Sequence, residues 1–213
     1  VTAAAALELG LVTPDTQIDC MGGRFNPYGH SIGDTHPLNV VPFSETFAQS
    51  SNIAIIKVAA LLGPERLESW IRRFGFGEKT GLEVQLESPG LFRSQKNWNG
   101  LSMGSLPMGQ EVAVTMPQLA AAFSIIANGG HTVQPHLVDR IVGQDGDITF
   151  QFENDESERV ISEKTAETMC ELSHLVVTAD DGTGTRAAIP EYRVGGKTGT
   201  AQIADPVNGG YYK

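Results

Sequence analysis

A lysine set among glycines and hydroxyls stands near the C-terminal end of the sequence, in Val194-Gly195-Gly196-Lys197-Thr198-Gly199-Thr200-Ala201. The two glycines before it carry no Cβ, so another backbone or a substrate can approach closely. Thr198 and Thr200 are two residues apart. In a strand their hydroxyls share one face, and strict alternation puts Lys197 on the other. Two hydroxyls, a cation at the edge and a thinly covered backbone suit a substrate bearing an anion and a carbonyl. A second group is Ser50-Ser51-Asn52, two hydroxyls and an amide at the start of an apolar helix. Taken by itself, this triplet reads as helix capping.

Other chemistries fit less well. A phosphate loop needs a glycine five residues before Gly196, and that position is Glu191. Gly100-Leu101-Ser102-Met103-Gly104 matches the nucleophile elbow of hydrolases. The stretch before it, Gln95 to Asn99, is a poor strand, and Pro107 and Gly109 disrupt the helix that must follow. His131, His136 or His174 would be available for a triad, but nothing singles one out. His30, Asp34 and His36 are near neighbours without the spacing of a metal-ligand set. Cys20 and Cys170, far apart, form neither a metal set nor a disulfide framework. Cys170 falls in a helical pattern and reads as a buried thiol, whereas Cys20 falls in a loop and reads as exposable.

The elements that must position these residues follow from periodicity and punctuation. The 213 residues can bury a sizeable core, and 40% of them are apolar. The net charge of -10 argues against nucleic acid as a partner, since phosphate binding needs clustered Lys and Arg. No apolar run reaches the length of a membrane span. Val1 to Leu9 reads as the tail of a helix stopped by Gly10, and Leu11 to Pro42 as a long irregular region. Short helical signals cover Phe43 to Gln49. A central helix runs from Asn52 to Leu62 and another from Pro64 to Phe74, with Leu67, Trp70, Ile71 and Phe74 on one face. Thr115 caps a helix over Met116 to Ala127, and Ser162 caps one over Glu163 to Thr178. Asp145-Gly146 joins a hairpin between Leu137 to Val142 and Ile148 to Phe152. Tyr192 to Ile203 reads as a strand, and Asn208-Gly209-Gly210 as a turn leading into a further strand pattern. Helices in one block, with a hairpin and a late strand, favour α+β.

The two reactive groups together resemble the S-x-N and K-T-G motifs of the penicillin-recognising serine acyltransferases, here Ser50-Ser51-Asn52 and Lys197-Thr198-Gly199. Phe47-Ala48-Gln49 before the first group, Phe74-Gly75-Phe76-Gly77, Met108-Gly109-Gln110 and Gly182-Thr183-Gly184-Thr185-Arg186-Ala187 extend the likeness. It runs along essentially the whole chain and is to class B penicillin-binding proteins of the cell-division and elongation type. The first motif of that family, S-x-x-K, is missing: no serine here has Lys three residues later. In the family it opens the first long helix, so the resemblance places the nucleophile roughly one to two helical turns before Val1. The family's sheet also continues with a strand and a helix beyond the K-T-G strand.

The resemblance thus implies that residues 1–213 are a partial transpeptidase domain, truncated at both ends. The fold would be that of penicillin-binding proteins and serine β-lactamases, an antiparallel sheet flanked by helices with an all-helical subdomain. The implied activity is D,D-transpeptidation through an acyl-enzyme on D-alanyl-D-alanine stem peptides of peptidoglycan, with covalent capture of β-lactams by the intact parent and no activity in the fragment alone. Ser50 would relay a proton, Asn52 would hydrogen-bond the substrate amide, and Lys197 would supply positive charge. Thr198 and Thr200 would hold the terminal carboxylate, in a segment opened by Gly199, and the Thr200 N–H would contribute to the oxyanion hole. No cofactor or metal is implied. The parent would be anchored in the cell membrane with this domain facing the periplasm or outer surface, where other wall-synthesis or division proteins are expected partners. A serine β-lactamase, or a non-catalytic β-lactam sensor or scaffold, would share these motifs. The Leu11 to Pro42 and Leu82 to Gly109 stretches fit a transpeptidase better.

Overall fold

The computed structural model describes residues 1–29, 31–153 and 157–200. Helix α1 (Thr2–Glu8) opens the chain, and its alanines Ala3 to Ala6 are buried. Their small side chains let α1 lie close against its neighbours. Strands β1 (Gln17–Asp19), β2 (Arg24–Phe25), β3 (Ile32–Gly33) and β4 (Val40–Pro42) follow. They pair antiparallel as β1 with β4 and β2 with β3. The stretch expected to be irregular is therefore a pair of nested ribbons. Strands of two or three residues are too short to display a period, and so this order is invisible in the sequence.

Helices α2 (Phe43–Ala48), α3 (Asn52–Leu62) and α4 (Pro64–Arg73) form the next block. α3 buries Ile53, Ala54, Ile56, Val58, Ala59 and Leu62, and α4 turns Leu67, Trp70 and Ile71 inward, with Phe74 just beyond it. Each fully buried Val, Leu, Ile or Phe side chain among them contributes about 1.5–3 kcal/mol. Gly63 has φ +76° between the two helices, and Pro64 starts α4 where no N–H is needed. Strand β5 (Leu91–Phe92), the single turn α5 (Ser102–Ser105) and strand β6 (Val112–Ala113) come next, with β5 and β6 antiparallel. Helix α6 (Met116–Ala127) has a complete capping box between Thr115 and Gln118. The expected hairpin forms from β7 (Arg140–Val142) and β8 (Ile148–Gln151), and all its residues are exposed. Helix α7 (Glu163–Thr178), capped by Ser162, packs on α1, α2 and α6, while α1 also meets α3 and α4. Glu8 closes this arrangement by accepting from Ser162 N at 3.0 Å and Ser162 Oγ at 2.8 Å.

Two expectations about β-structure change. Among the described residues the strands form four separate two-stranded antiparallel sheets. The strand expected over Tyr192 to Ile203 is not formed over 192–200, and 201–203 lie outside the described residues, as do His30 and the turn expected at 208–210. A strand exists only when a neighbour completes its ladder of N–H and C=O bonds. Here the 192–200 segment bonds instead to helix α7, through Gly196 N to Ser173 O at 3.0 Å. The cysteine readings are reversed as well. Cys20 is fully buried beneath the start of α3, and Cys170 is exposed on α7. A helical pattern says nothing about which face a residue occupies unless its i±3 and i±4 neighbours are apolar. Those of Cys170 include Glu167 and His174.

Candidate active site

Ser50 sits at the join of α2 and α3. Its N–H donates to Phe47 O at 3.2 Å, and the N–H of Ser51 reaches back to Thr46 O at 2.9 Å. This is a Schellman closure of α2, and its geometry asks for a left-handed residue at position 50, ordinarily glycine. Ser50 takes that conformation, with φ +57°. A serine in a place suited to glycine costs backbone energy, and strain of this kind gathers at functional sites. Its benefit here is a hydroxyl held at the tip of a tight reversal.

The next two residues are fixed from below. Ser51 caps α3 by accepting from Ala54 N at 3.1 Å, and its own hydroxyl donates to Asp34 Oδ2 at 2.6 Å. The other oxygen of Asp34 accepts from Asn52 N at 2.7 Å and Ile53 N at 3.1 Å. A carboxylate on the first N–H groups of a helix is favoured by both hydrogen bonding and the helix dipole. Asn52 Nδ2 donates to Gly33 O at 3.0 Å. The thiol of Cys20 lies under Ser51 Oγ at 3.6 Å, and burial pushes its pKa up.

Lys197 arrives from the other end of the chain. Helix α7 serves as a rail for the segment before it. Arg193 pairs with Glu171 at 2.5 Å, the Val194 carbonyl accepts from His174 Nδ1 at 2.8 Å, and Gly196 N bonds Ser173 O. A carbonyl only accepts, so His174 carries its proton on Nδ1. Gly195 lies against the same helix, and a Cβ there would come within 3.2 Å of Ser173. Gly195 thus provides the close approach expected of it, while Gly196 faces open space. Beyond this rail the Lys197 ammonium donates to Ser50 Oγ at 2.5 Å and lies 5.8 Å from the Phe47 ring centre. Lys197 is exposed as a residue, but its ammonium end is dehydrated by these neighbours, and this lowers its pKa from the ordinary value of 10.5.

Thr198 Oγ1 lies 2.7 Å from Thr183 Oγ1, and Thr183 also bonds Ala48 O through its N–H and its hydroxyl, each at 3.2 Å. Gly199 and Thr200 follow, exposed. The structure therefore brings together Ser50, Asn52, Lys197 and Thr198, two of them joined directly across 147 positions of sequence. Because 192–200 is not a strand, the alternation that would have set Lys197 apart from the threonines does not apply. Sequence reasoning missed two residues. In the sequence Asp34 stands out only beside His30 and His36, although an aspartate is a good partner for any helix start. Thr183 stands out only as part of a Gly/Thr segment. The elbow serine, Ser102, is fully buried and donates to Glu111 Oε2 at 2.8 Å. Two hollows, one between α4 and α6 and one between the end of α7 and Ile189 to Tyr192, do not include Ser50 or Lys197.

This fold is that of a penicillin-binding transpeptidase domain. The whole chain, residues 1–213, matches the penicillin binding protein transpeptidase domain, and the protein belongs to that family, in its class B branch. It is 38% identical over 219 residues to penicillin-binding protein PbpB of Mycolicibacterium smegmatis, covering 100% of this chain and 34% of that protein. To peptidoglycan D,D-transpeptidase FtsI of Escherichia coli it is 27% identical over 201 residues, 94% of this chain and 32% of that one. The crystal structure of penicillin-binding protein 3 from Mycobacterium tuberculosis complexed with ampicillin superposes with a TM-score of 0.89 at 33% identity, covering 99% of this chain and 48% of that one. The same protein complexed with aztreonam gives 0.88. The chain spans about a third of the length of these curated relatives.

Proposed function

We propose that Ser50, Asn52, Lys197, Thr198 and Thr200 line an acyl-transfer site of a peptidoglycan D,D-transpeptidase. The observation that carries this is the hydrogen bond from Lys197 to Ser50, which unites the S-x-N and K-T-G groups. With one lone pair of Ser50 Oγ taken by the ammonium, its proton and second lone pair stay available for relay between an activating base and a departing amine. Asn52, anchored through one amide hydrogen, keeps its other hydrogen and its carbonyl for a substrate amide. The cationic Lys197 and the hydroxyls of Thr198 and Thr200 suit the terminal carboxylate of a D-alanyl-D-alanine stem peptide. Gly199 leaves the backbone between them uncovered. The nucleophile is a serine of an S-x-x-K segment preceding Val1, in helical continuity with α1. It attacks the carbonyl between the two D-alanines, the terminal D-alanine leaves with a proton, and an amine acceptor then takes the acyl group.

The whole domain has an antiparallel sheet flanked by helices, with the 192–200 segment lying along α7. The protein acts at the outer face of the cell membrane and is acylated by β-lactams. A fluorescent penicillin added to the intact protein, followed by proteolysis and mass spectrometry, tests this. The expected label is stable and sits on a serine outside residues 1–213. Rapid release of the label would favour a β-lactamase, and an absence of label a scaffold. Label on a serine within 1–213 would overturn the residue assignment.

A further inference from the structure

Beneath the N-terminal end of α3 lies a group with no part in the chemistry just described, yet it touches the residues around those that have one. We infer that Asp34, with the carbonyl of Gly33, is a positioning residue for acyl transfer: it sets the orientation of Ser50 and Asn52. This rests on the reading that those two residues line the reactive site.

The carboxylate makes three bonds to three consecutive residues. Ser51 Oγ donates at 2.6 Å, Asn52 N at 2.7 Å and Ile53 N at 3.1 Å. Both oxygens are used, so the carboxylate plane is fixed as well as its place. Asn52 is held twice, by its N–H on Asp34 and by its side-chain amide on Gly33 O at 3.0 Å. Because a carbonyl only accepts, the atom facing Gly33 is the nitrogen, and the Asn52 amide cannot present its two ends interchangeably. Gly33 and Asp34 themselves are held down. Gly33 pairs with Arg24 in the β2–β3 ribbon, and Asp34 N donates to Gly23 O at 3.1 Å. The ribbon is thus a platform under the start of α3.

Ser50 is affected through geometry. Its φ of +57° is unfavourable for a serine, and it persists only while the residues on both sides are over-determined. On one side is the closure of α2. On the other, Ser51 and Asn52 are locked to Asp34. Loosening Asp34 lets position 50 relax toward a right-handed conformation and takes its hydroxyl from the Lys197 ammonium.

The test measures the acylation rate of the intact protein by a fluorescent penicillin, normalised to the fraction labelled at saturation so that unfolded molecules do not count. Asp34→Ala is expected to slow acylation about 10- to 100-fold, the loss that follows when charged hydrogen bonds are removed. Asp34→Asn keeps the shape, still accepts from the two backbone N–H groups and donates to Ser51, so it restores most of the rate. Asp34→Glu keeps the charge at the helix start but displaces the carboxylate by one methylene, and it remains slow. That variant covers the case in which Asp34→Ala does not fold. A merely structural aspartate would lower thermal stability in Ala and Glu variants while leaving the normalised rate unchanged, and that result would overturn the inference. Ser50→Ala and Asn52→Ala run alongside. If they leave the rate unchanged, the site assignment has failed. If they slow acylation and Asp34→Glu does not, only the role of Asp34 has failed.

Discussion

Replacing Lys197 probes the contact on which the site depends. Its ammonium lies 2.5 Å from Ser50 Oγ, and burial of that end lowers its pKa from 10.5. Hydrogen bonds to charged groups are worth about 1.5–3 kcal/mol, so loss of this one at the transition state slows acylation about 10- to 100-fold. Lys197→Met removes the charge at nearly the same length and should show that loss. Lys197→Arg keeps a charge that does not titrate in the accessible range. In the wild type, acylation by an anionic penicillin falls as pH rises through the lowered pKa, because the carboxylate then faces a neutral amine. This alkaline limb begins below the ordinary lysine range. In Lys197→Arg it is lost or moves to higher pH, whatever the absolute rate. The assay is time-resolved labelling of the intact protein from neutral to strongly alkaline pH. Stability gives a second readout. The folded pKa is below the unfolded one, so between them the unfolded chain holds more protons and stability rises with pH. Lys197→Met removes this rise from the denaturation midpoint. Identical alkaline limbs in wild type and Lys197→Arg, together with an unslowed Lys197→Met, would refute the assignment.

The strain at Ser50 predicts that Ser50→Gly is more stable than Ser50→Ala by about 1 kcal/mol in denaturant unfolding, because only glycine accepts φ +57° without penalty. Both variants lose acylation rate, so stability and activity separate at this position. Thr183→Val, which removes the hydroxyl next to Thr198, should slow acylation about 3- to 10-fold, and Thr183→Ser should restore it. Comparison of the limiting rates with penicillin decides this. Glu8 ties α1 to α7. Burial raises its pKa, but hydrogen bonds from Thr165 and Ser162 more than reverse this, and the folded value falls below 4.5. A depressed carboxyl contributes stability above its unfolded pKa and loses it as pH falls through the folded one. Acid unfolding of Glu8→Gln should therefore be flatter over that range than that of the wild type, and parallel acid curves would contradict the tie.

Elements with a strong local cause were legible from residue order. α3, α4, α6 and α7 carry capping residues, proline starts or apolar faces that act within a few positions, and their observed limits agree closely with the expected ones. The Asp145-Gly146 turn likewise needs only a glycine able to adopt φ +90°. Motif chemistry was legible too, because Ser50-Ser51-Asn52 and Lys197-Thr198-Gly199 are each contiguous. Residue order could not supply what depends on partners distant in sequence. The ribbons of 17–42 are too short for a period. The 192–200 segment looks like a strand by composition, but its backbone is bonded to α7. Cys20 is buried by what folds over it, not by its neighbours in the chain. The role of Asp34 exists only because the β2–β3 ribbon is carried under the start of α3.

The sequence by itself determined the reagents: a hydroxyl–amide triplet at a helix start and a lysine among glycines and threonines, since their identities and local spacing require no fold. The tertiary structure alone decided how they are used. It put serine at a left-handed position that glycine would fill more easily, and laid Gly195 on α7 so that Lys197 reaches Ser50. It also set a carboxylate under the helix that carries Asn52. Long-range contacts cost chain entropy that only the cooperative packing of the whole domain offsets, and that packing is not encoded in any short stretch of residues.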